Sequence, residues 1–366
     1  MEKLKFIKDL ISIKSFDTKQ NKEIITYLEK QFSPIAKEII KIKNKNNDCE
    51  NMLIGLNTKL ENARNAIVLS GHIDTVIADE KEYKTNPYQP TQIGDKIFGL
   101  GAIDMKSFFA CILNNAKELL ELNSPIIIAI TSDEETALTG VSALTDLMRE
   151  LKIIPKFTIV GEPTNMEICT LSKSCYEFHV DFYGKSCHSG NPSLGINSNV
   201  IAAKLVLYIS KLCKKYKDTT LSPNVIQGGE KVNIIPNYCK IFFDLRSNKM
   251  KNKEQILKKI QKYAKKLEKN NFGAKIAISN SLEILPLENK KNKIKKEILK
   301  VFSLKESSFT GGCEAGYYQA LGGDAIVFGV GDLSLAHKPN EFVNINEFLT
   351  YNDLLLNVIQ FVDNKN

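Results

Sequence analysis

Three short apolar runs, each followed at once by polar side chains, constrain the fold of this 366-residue chain more than any other feature. The runs are Ile67–Ser70, Pro125–Ile130 and Phe157–Val160. Nearly continuous apolar runs of this length are typical of parallel strands buried on both faces. The polar residues that follow them are His72 and Asp74, Asp133 to Glu135, and Glu162. Because open α/β sheets bind ligands at the carboxyl ends of their strands, we expect these side chains to converge.

The first polar group has the pattern His-x-Asp. Side chains alternate along an extended backbone, so His72 and Asp74 are predicted to project to the same side. A histidine that binds a metal usually donates its second ring N–H to an orienting carboxylate. We therefore predict His72 as a ligand and Asp74 as its orienter, although a short motif of this kind is also compatible with an ordinary buried histidine.

A glycine-containing stretch places one more acid before a predicted helix. Gly99 and Gly101 precede Asp104, and the helix is expected from Phe108 to Leu120. Asp104 is either a site residue or a helix cap. The three adjacent acids 133–135 are costly to hold together unless a cation lies among them, the alternative being a solvated turn.

The remaining pattern predicts one domain that is interrupted by another. We expect residues 1–174 and 284–366 to form a mixed, mostly parallel α/β sheet flanked by helices, and residues 175–283 to form an inserted ferredoxin-like α+β unit of β-α-β-β-α-β order. The elements predicted in the insert are Tyr176–Tyr183, helix Asn197–Lys211, Lys231–Ile235, Lys240–Arg246, helix Lys253–Lys269 and Ala274–Ser279. In the outer domain we further predict helices 3–13, 21–31, 140–152, 291–302 and 346–361, strands 39–43, 51–56 and 325–328, and a polar loop at 77–95.

Composition excludes several classes of function. The net charge of +8 comes mainly from lysines that are spread over predicted helix faces without interleaved stacking aromatics, which argues against a nucleic-acid partner. No apolar run approaches the ~20 residues that span a bilayer, and no signal-peptide pattern follows Met1. The eight cysteines form no C-x-x-C pair, which predicts free thiols and a cytoplasmic location.

Two histidines and several carboxylates remain as a candidate metal set. They are His72, Asp104, Glu134, Glu135, Glu162 and His337. Such a set can hold two divalent metals if one carboxylate bridges them, and mixed nitrogen and oxygen ligation suits zinc, with cobalt or manganese tolerated.

Four longer motifs carry a family resemblance. They are Asp104–Ala110, Glu162–Thr164, Cys313–Gly316 and Ala336–Glu341. Over nearly its whole length, insert included, the chain resembles the dinuclear-zinc deacylases and exopeptidases. Within them it is more similar to the acetylornithine deacetylases than to the succinyl-diaminopimelate desuccinylases, which typically carry Ser-Asp-Gly where Glu314 begins its triplet. Ser107 and Ser174 stand where the family usually has glycine.

The resemblance implies a zinc-exopeptidase-like catalytic domain with two metal ions and an inserted lid and dimerisation domain. It implies His72 and Glu162 on one metal, Asp104 as the bridge, and Glu135 and His337 on the other. Asp74 would orient His72, Glu134 would be the general base, and the Asp104–Met105 peptide bond is expected to be cis.

The implied reaction is hydrolysis of N2-acetyl-L-ornithine to ornithine and acetate, as in arginine biosynthesis, by a homodimer. His188 would stabilise the oxyanion across the dimer interface. Arg246, with Asn233 nearby, is a candidate for holding the substrate carboxylate, although an ion pair between Arg246 and Asp244 is an equal alternative. Lys173 is a further candidate for binding substrate, and Glu314 would contact the ornithine ammonium or position the metal loop. A desuccinylase, another N-acyl-amino-acid deacylase, a dipeptidase or a non-catalytic metal-binding protein are the competing interpretations.

Overall fold

The computed structural model describes residues 2–289 and 293–365. The chain divides into two compact units. The first contains the chain up to Ser172 and again from Leu287, and the second is Lys173–Pro286.

The first segment of the outer unit alternates strands and helices, as the apolar runs predict. Its helices are α1 (Lys5–Ser12), α2 (Thr18–Phe32), α3 (Lys106–Asn114), α4 (Ala116–Leu120) and α5 (Thr139–Glu150). Its strands are β1 (Glu38–Lys43), β2 (Glu50–Gly55), β3 (Ala66–His72), β4 (Thr91–Ile93), β5 (Lys96–Phe98), β6 (Ile126–Thr131), β7 (Pro155–Val160) and β8 (Ile168–Ser172).

The second unit contains β9 (Ser174–Tyr183), β10 (Cys187–His188), α6 (Ser198–Cys213), β11 (Thr219–Gly228), β12 (Ile234–Ile235), β13 (Tyr238–Ser247), α7 (Met250–Asn270) and β14 (Lys275–Ile284). Four of its strands form an antiparallel sheet in the order β11-β13-β9-β14. This is the β-α-β-β-α-β topology of ferredoxin-like units. Phe178, Phe182, Leu205 and Ile260 are among the residues of its own apolar core.

The outer unit resumes with α8 (Lys293–Val301), β15 (Glu306–Phe309), α9 (Ala315–Ala320), β16 (Asp324–Val327), β17 (Phe342–Asn344) and α10 (Ile345–Asp363). An eight-stranded sheet has the order β1-β2-β6-β3-β7-β16-β8-β15. A small antiparallel sheet has the order β17-β5-β4. The predicted mixed, mostly parallel sheet flanked by helices is confirmed.

The central strands explain why distant polar residues share one edge. β3 lies between β6 and β7 and is parallel to both, and β16 is parallel to β7. Every residue of β3 and β6 is buried, as expected for strands covered on both faces. Because these parallel strands are in close register, the segments that follow them all begin at the same edge of the sheet.

The prediction for the second strand of the insert is wrong. The long strand that pairs with β13 is β11, whereas only Ile234 and Ile235 of the predicted strand 231–235 are extended, paired with β10. The strand β11 was not predicted because Pro223 and several polar residues interrupt the alternation of apolar and polar residues that is expected of a strand. A proline lacks the N–H that a ladder needs, but it is tolerated here because β11 is an edge strand, whose register shifts between Pro223 and Val225.

The predicted helix 108–120 is two helices. Asn115 lies between α3 and α4, and its side-chain amide donates to the carbonyls of Cys111 (2.9 Å) and Asn352 (3.0 Å). Bonding of this kind offers the backbone an alternative to continuous helix. The predicted loop 77–95 contains β4, and residues 291 and 292 of the predicted helix 291–302 lie outside the described residues. No helix in the described part of the chain is both long and apolar enough to cross a membrane.

Candidate metal centre

Five of the predicted side chains form two groups with metal-binding geometry, and both groups contain Asp104. The first group is His72, Asp104 and Glu162, and the second is Asp104, Glu135 and His337. Within each group the ligand atoms lie within 4.8 Å of one another. His72 ends β3, and Glu135, Glu162 and His337 come after β6, β7 and β16, four neighbouring strands of the main sheet. Asp104 follows β5 of the small antiparallel sheet, so its loop joins the other four side chains from a different sheet.

The ring of His72 is buried and fixed at both nitrogens. Nε2 lies 3.0 Å from Asp104 Oδ1 and 3.7 Å from Glu162 Oε1. Nδ1 lies 2.9 Å from the backbone carbonyl oxygen of Asp74 but 3.7 Å from its carboxylate, which exceeds hydrogen-bond distance. Because β3 ends at His72, the two-residue alternation assumed for Asp74 does not continue to it. The carboxylate of Asp74 instead accepts the N–H of Glu135 at 3.1 Å.

Asp104 is held at the end of a buried loop and does not cap a helix. The peptide bond between Asp104 and Met105 is cis. Met105 precedes the first residue of α3, and no side chain caps that helix end. The capping alternative for Asp104 is therefore excluded, and both of its oxygens face histidines.

The second group is closed by a loop that follows β16. His337 Nε2 lies 2.9 Å from Glu135 Oε2 and 3.3 Å from Asp104 Oδ2. His337 and Asn340 have φ values of 59° and 65°, in the left-handed region. The Asn340 side chain holds this loop by accepting the N–H of Lys84 at 2.7 Å.

The pKa values reflect a surplus of buried negative charge. Burial outweighs the opposing charge of His72 and raises the pKa of Glu162 to about 7. Hydrogen bonds with Asp104 and Glu135 raise the pKa of His337 to about 10. Burial also acts to raise the pKa of Asp104, yet hydrogen bonds with the two histidines outweigh it and hold that pKa below its usual range.

A buried carboxylate oxygen indicates that a cation completes the first group. Glu162 Oε1 is inaccessible to solvent and has no hydrogen-bond partner among the described residues. An unpaired buried carboxylate is costly unless a cation neutralises it. The donor set of imidazole nitrogens and carboxylate oxygens is the one that zinc and similar divalent ions bind.

Glu134 stands beside the two groups without belonging to either. It is half-buried, and its removal from water, together with the charges of Glu162, Glu135 and Asp104, raises its pKa well above the ordinary value despite the opposing charge of His72. A carboxylate with a raised proton affinity next to a metal centre has the properties of a general base.

Glu314 is fully buried under the strand ends. Its Oε2 lies 2.7 Å from Ser70 Oγ, and its Oε1 is hydrogen-bonded to Thr131 Oγ1. Ser70 belongs to β3 and Thr131 to β6. Both oxygens therefore contact the strands that carry the site, which favours the positioning role for Glu314 over contact with a substrate ammonium.

Glu341 was not assigned any role from the sequence. Its side chain is 2% exposed, and its carboxylate accepts the N–H groups of Gly101, Ile103 and Asp104. Burial raises its pKa to about 7. The available signal was an acid four residues after His337, in a polar loop that precedes the final helix.

The remaining predicted residues belong to the second unit. His188 is exposed, and its Nδ1 accepts the N–H of Gly190 at 3.1 Å. Asn233 is exposed, and its backbone carbonyl accepts the N–H of Ser189 at 3.0 Å. Lys173 is the first residue of the unit.

Arg246 forms the ion pair that the sequence left open. Its Nε and Nη2 donate to the two oxygens of Asp244 at 2.7 Å and 2.9 Å. The functional assignments of His188, Asn233, Lys173 and Arg246 stay predictions.

Comparison with known proteins identifies relatives along nearly the whole chain. Peptidase family M20/M25/M40 matches residues 68–360. An acetylornithine deacetylase of Buchnera aphidicola subsp. Schizaphis graminum is 30% identical over 340 residues, which cover 88% of this chain and 87% of that protein. An uncharacterized metallohydrolase of Methanocaldococcus jannaschii is 29% identical over 364 residues, covering 95% and 94% of the two chains.

Solved structures share the fold at lower identity. Aminopeptidase PepT from Bacillus cereus superposes with a TM-score of 0.78 at 20% identity and 98% coverage of both chains. A metallo-carboxypeptidase from Sulfolobus solfataricus has a TM-score of 0.67 at 17% identity and 99% coverage of both. The predicted kinship with deacylases and exopeptidases is thereby confirmed.

Proposed function

The chain belongs to peptidase family M20/M25/M40 and is a metallohydrolase that acts on amide bonds, and from this premise we propose that it removes the acetyl group from N2-acetyl-L-ornithine. The observation that carries the proposal is the sharing of Asp104 between two ligand groups. The similarity to proteins named acetylornithine deacetylase supports the choice of substrate.

The proposed metal ligands follow from the two groups. His72 and Glu162 would hold one divalent ion, Glu135 and His337 would hold the other, and Asp104 would contribute a ligand to both. Zinc is the proposed metal, with cobalt or manganese as substitutes. Two such ions supply Lewis acidity, which polarises an amide carbonyl and makes water more acidic.

Glu134 is the proposed proton carrier. It takes a proton from the attacking water and gives it to the departing amine, so that one carboxylate serves as base and then as acid. Its raised pKa supports this role. Asp74 contributes by fixing both the His72 ring and the N–H of Glu135.

We propose four residues of the second unit as contacts to substrate. His188 donates to the tetrahedral oxyanion, where a preorganised donor stabilises developing charge. Arg246, Asn233 and Lys173 are proposed to bind the rest of the acylated amino acid. The bidentate ion pair with Asp244 opposes that role for Arg246, because its Nε and Nη2 are already engaged.

We propose a homodimer formed through the second unit, with His188 delivered to the partner's site. The edge strand β11 supports this proposal, because an edge leaves unpaired backbone groups that a second chain can bind. Val225 and Ile226 on β11 are 45% and 59% exposed, and Leu207 on α6 is 63% exposed. The eight cysteines carry thiols and not disulfide bonds in the described part of the chain, which supports a cytoplasmic location.

The test compares substrates on zinc- and cobalt-loaded protein. We expect release of acetate from acetylornithine, with lower kcat/KM for succinyl-diaminopimelate, other N-acyl amino acids and dipeptides. Preferential cleavage of dipeptides would show that the chain acts as a peptidase and not as a deacetylase; it shares its fold with peptidases of known structure. Metal binding with no hydrolysis of any substrate would favour the non-catalytic alternative.

A further inference from the structure

The loop that carries Asp104 is held mainly by a single residue, Glu341. The carboxylate Oε2 of Glu341 accepts the N–H of Gly101 at 3.0 Å, and Oε1 accepts those of Ile103 at 2.8 Å and Asp104 at 3.3 Å. The backbone carbonyl of the same residue accepts the N–H of Gly99 at 3.0 Å. One residue therefore receives four of the six consecutive N–H groups from Gly99 to Asp104.

The other two N–H groups have partners that do not reach Asp104. The N–H of Leu100 donates to the carbonyl of Pro87, and that of Ala102 donates to the carbonyl of Gly99. The turn needs a glycine at position 101, where φ is +78°. Since buried N–H groups require acceptors, the conformation of residues 101–104 depends on the Glu341 carboxylate.

We propose that Glu341 is a positioning residue for the metal centre, which fixes the backbone of residues 101–104 and thereby aims both oxygens of Asp104. The inference rests on the metal-binding part of the proposed function. A carboxylate suits this task because it only accepts hydrogen bonds. A glutamine of the same shape presents an NH₂ group to at least one of the three N–H donors.

The shared position of Asp104 gives the proposal a specific signature. Asp104 belongs to both ligand groups, whereas His337 belongs to only one. Misplacing Asp104 weakens both metal sites together. Loss of His337, or a disturbance of its loop, weakens one site and spares the other.

The test is calorimetric titration of the metal-free full-length protein with Co²⁺, together with the visible absorption of the cobalt-loaded form. We compare wild type, Glu341→Gln, His337→Ala and the control Glu61→Gln, which removes an exposed carboxylate. For Glu341→Gln we expect both cobalt affinities to fall by about 10–100-fold, as is usual when a partner of a metal ligand is removed. Both cobalt spectra should also change, while Glu61→Gln matches wild type.

Provided that wild type binds cobalt, two results overturn the proposal. The first is unchanged affinity at both sites in Glu341→Gln. The second is loss at one site only, with the pattern of His337→Ala, which would assign Glu341 to the His337 loop. If wild type itself binds no cobalt, the metal premise of the proposed function fails, and this inference fails with it. If wild type binds cobalt but does not hydrolyse acetylornithine, the proposed substrate is wrong, and the inference about Glu341 is unaffected.

A measurement on the wild type decides the matter if Glu341→Gln does not fold. Hydrogen exchange of metal-free protein should show protection of the amides of Gly101, Ile103 and Asp104, because a buried carboxylate holds them without any metal. Exchange of all three at the rate of an exposed loop would contradict the proposal.

Discussion

The hydrogen bonds around Glu314 predict that its side chain is a neutral acid. Ser70 Oγ contacts both Glu314 Oε2 and the hydroxyl of Tyr318, each at 2.7 Å. Thr131 Oγ1 contacts both Glu314 Oε1 and the carbonyl of Gly71. Four contacts each need a proton, but the three hydroxyl groups supply only three. The fourth proton is therefore expected on Glu314. Burial supports this, because it raises the pKa of Glu314 although the hydrogen bonds from Ser70 and Thr131 act to lower that pKa.

Two substitutions test this proton count through stability. Glu314→Gln replaces the acid O–H by an amide N–H and keeps a carbonyl acceptor, so we expect its cost to be within about 1 kcal/mol at pH 5. Glu314→Ala removes one hydrogen bond from each of the Ser70 and Thr131 hydroxyls, which keep Tyr318 and the Gly71 carbonyl as partners, and it opens a cavity. Each lost hydrogen bond costs about 0.5–1.5 kcal/mol and the cavity adds to this, so the total loss should be about 3–5 kcal/mol.

The pH dependence gives the sharper result. Above the ordinary glutamate pKa of about 4.3, the unfolded wild type releases the proton that the folded protein keeps, so wild-type stability falls as pH rises. Glu314→Gln has no such proton. Its free energy of unfolding relative to wild type should therefore rise with pH, by up to about 1.4 kcal/mol per unit, until the raised pKa of folded Glu314 is reached.

The assay is urea unfolding of metal-free protein followed by circular dichroism between pH 5 and pH 8. The control is Glu61→Gln, whose stability relative to wild type should stay constant because Glu61 is exposed. A constant or falling difference for Glu314→Gln would refute the proton count. Such a result would mean that Glu314 is a charged carboxylate under β3 and β6.

Further predictions concern the site and its support. Glu134→Ala should keep both metal sites by titration while kcat falls by about 10²–10⁴-fold, and full activity would remove Glu134 as the base. Elemental analysis should find two zinc ions per chain, and EDTA should abolish turnover until zinc or cobalt is restored. Gly161→Ala should cost about 1–3 kcal/mol in urea unfolding, because its Cβ would lie 2.0 Å from Phe108 Cγ; unchanged stability would contradict this packing. Glu314→Ser should preserve the preference for acetylornithine over succinyl-diaminopimelate, because Glu314 is buried and not placed to read substrate.

The sequence by itself predicted which side chains the structure brings together in the candidate metal centre, because the signal for them is local. A buried parallel strand is a continuous apolar run, and the residue after it must lie at the sheet edge. His72, Glu135 and Glu162 were predicted in this way. The inserted ferredoxin-like unit was predicted from its order of elements, although β11 was missed because a proline and polar residues on an edge strand do not produce the expected alternation.

Only the tertiary structure decided what supports those ligands. Glu341 and the loop it holds are 237 to 240 residues apart, and Glu314 is 244 residues from Ser70. The acceptor nearest to His72 Nδ1 is a backbone carbonyl, which no residue type reveals. A metal ligand can be predicted from its residue type and from the strand that precedes it. The partners that aim it are chosen by packing between distant segments, and no local pattern records which segments will meet.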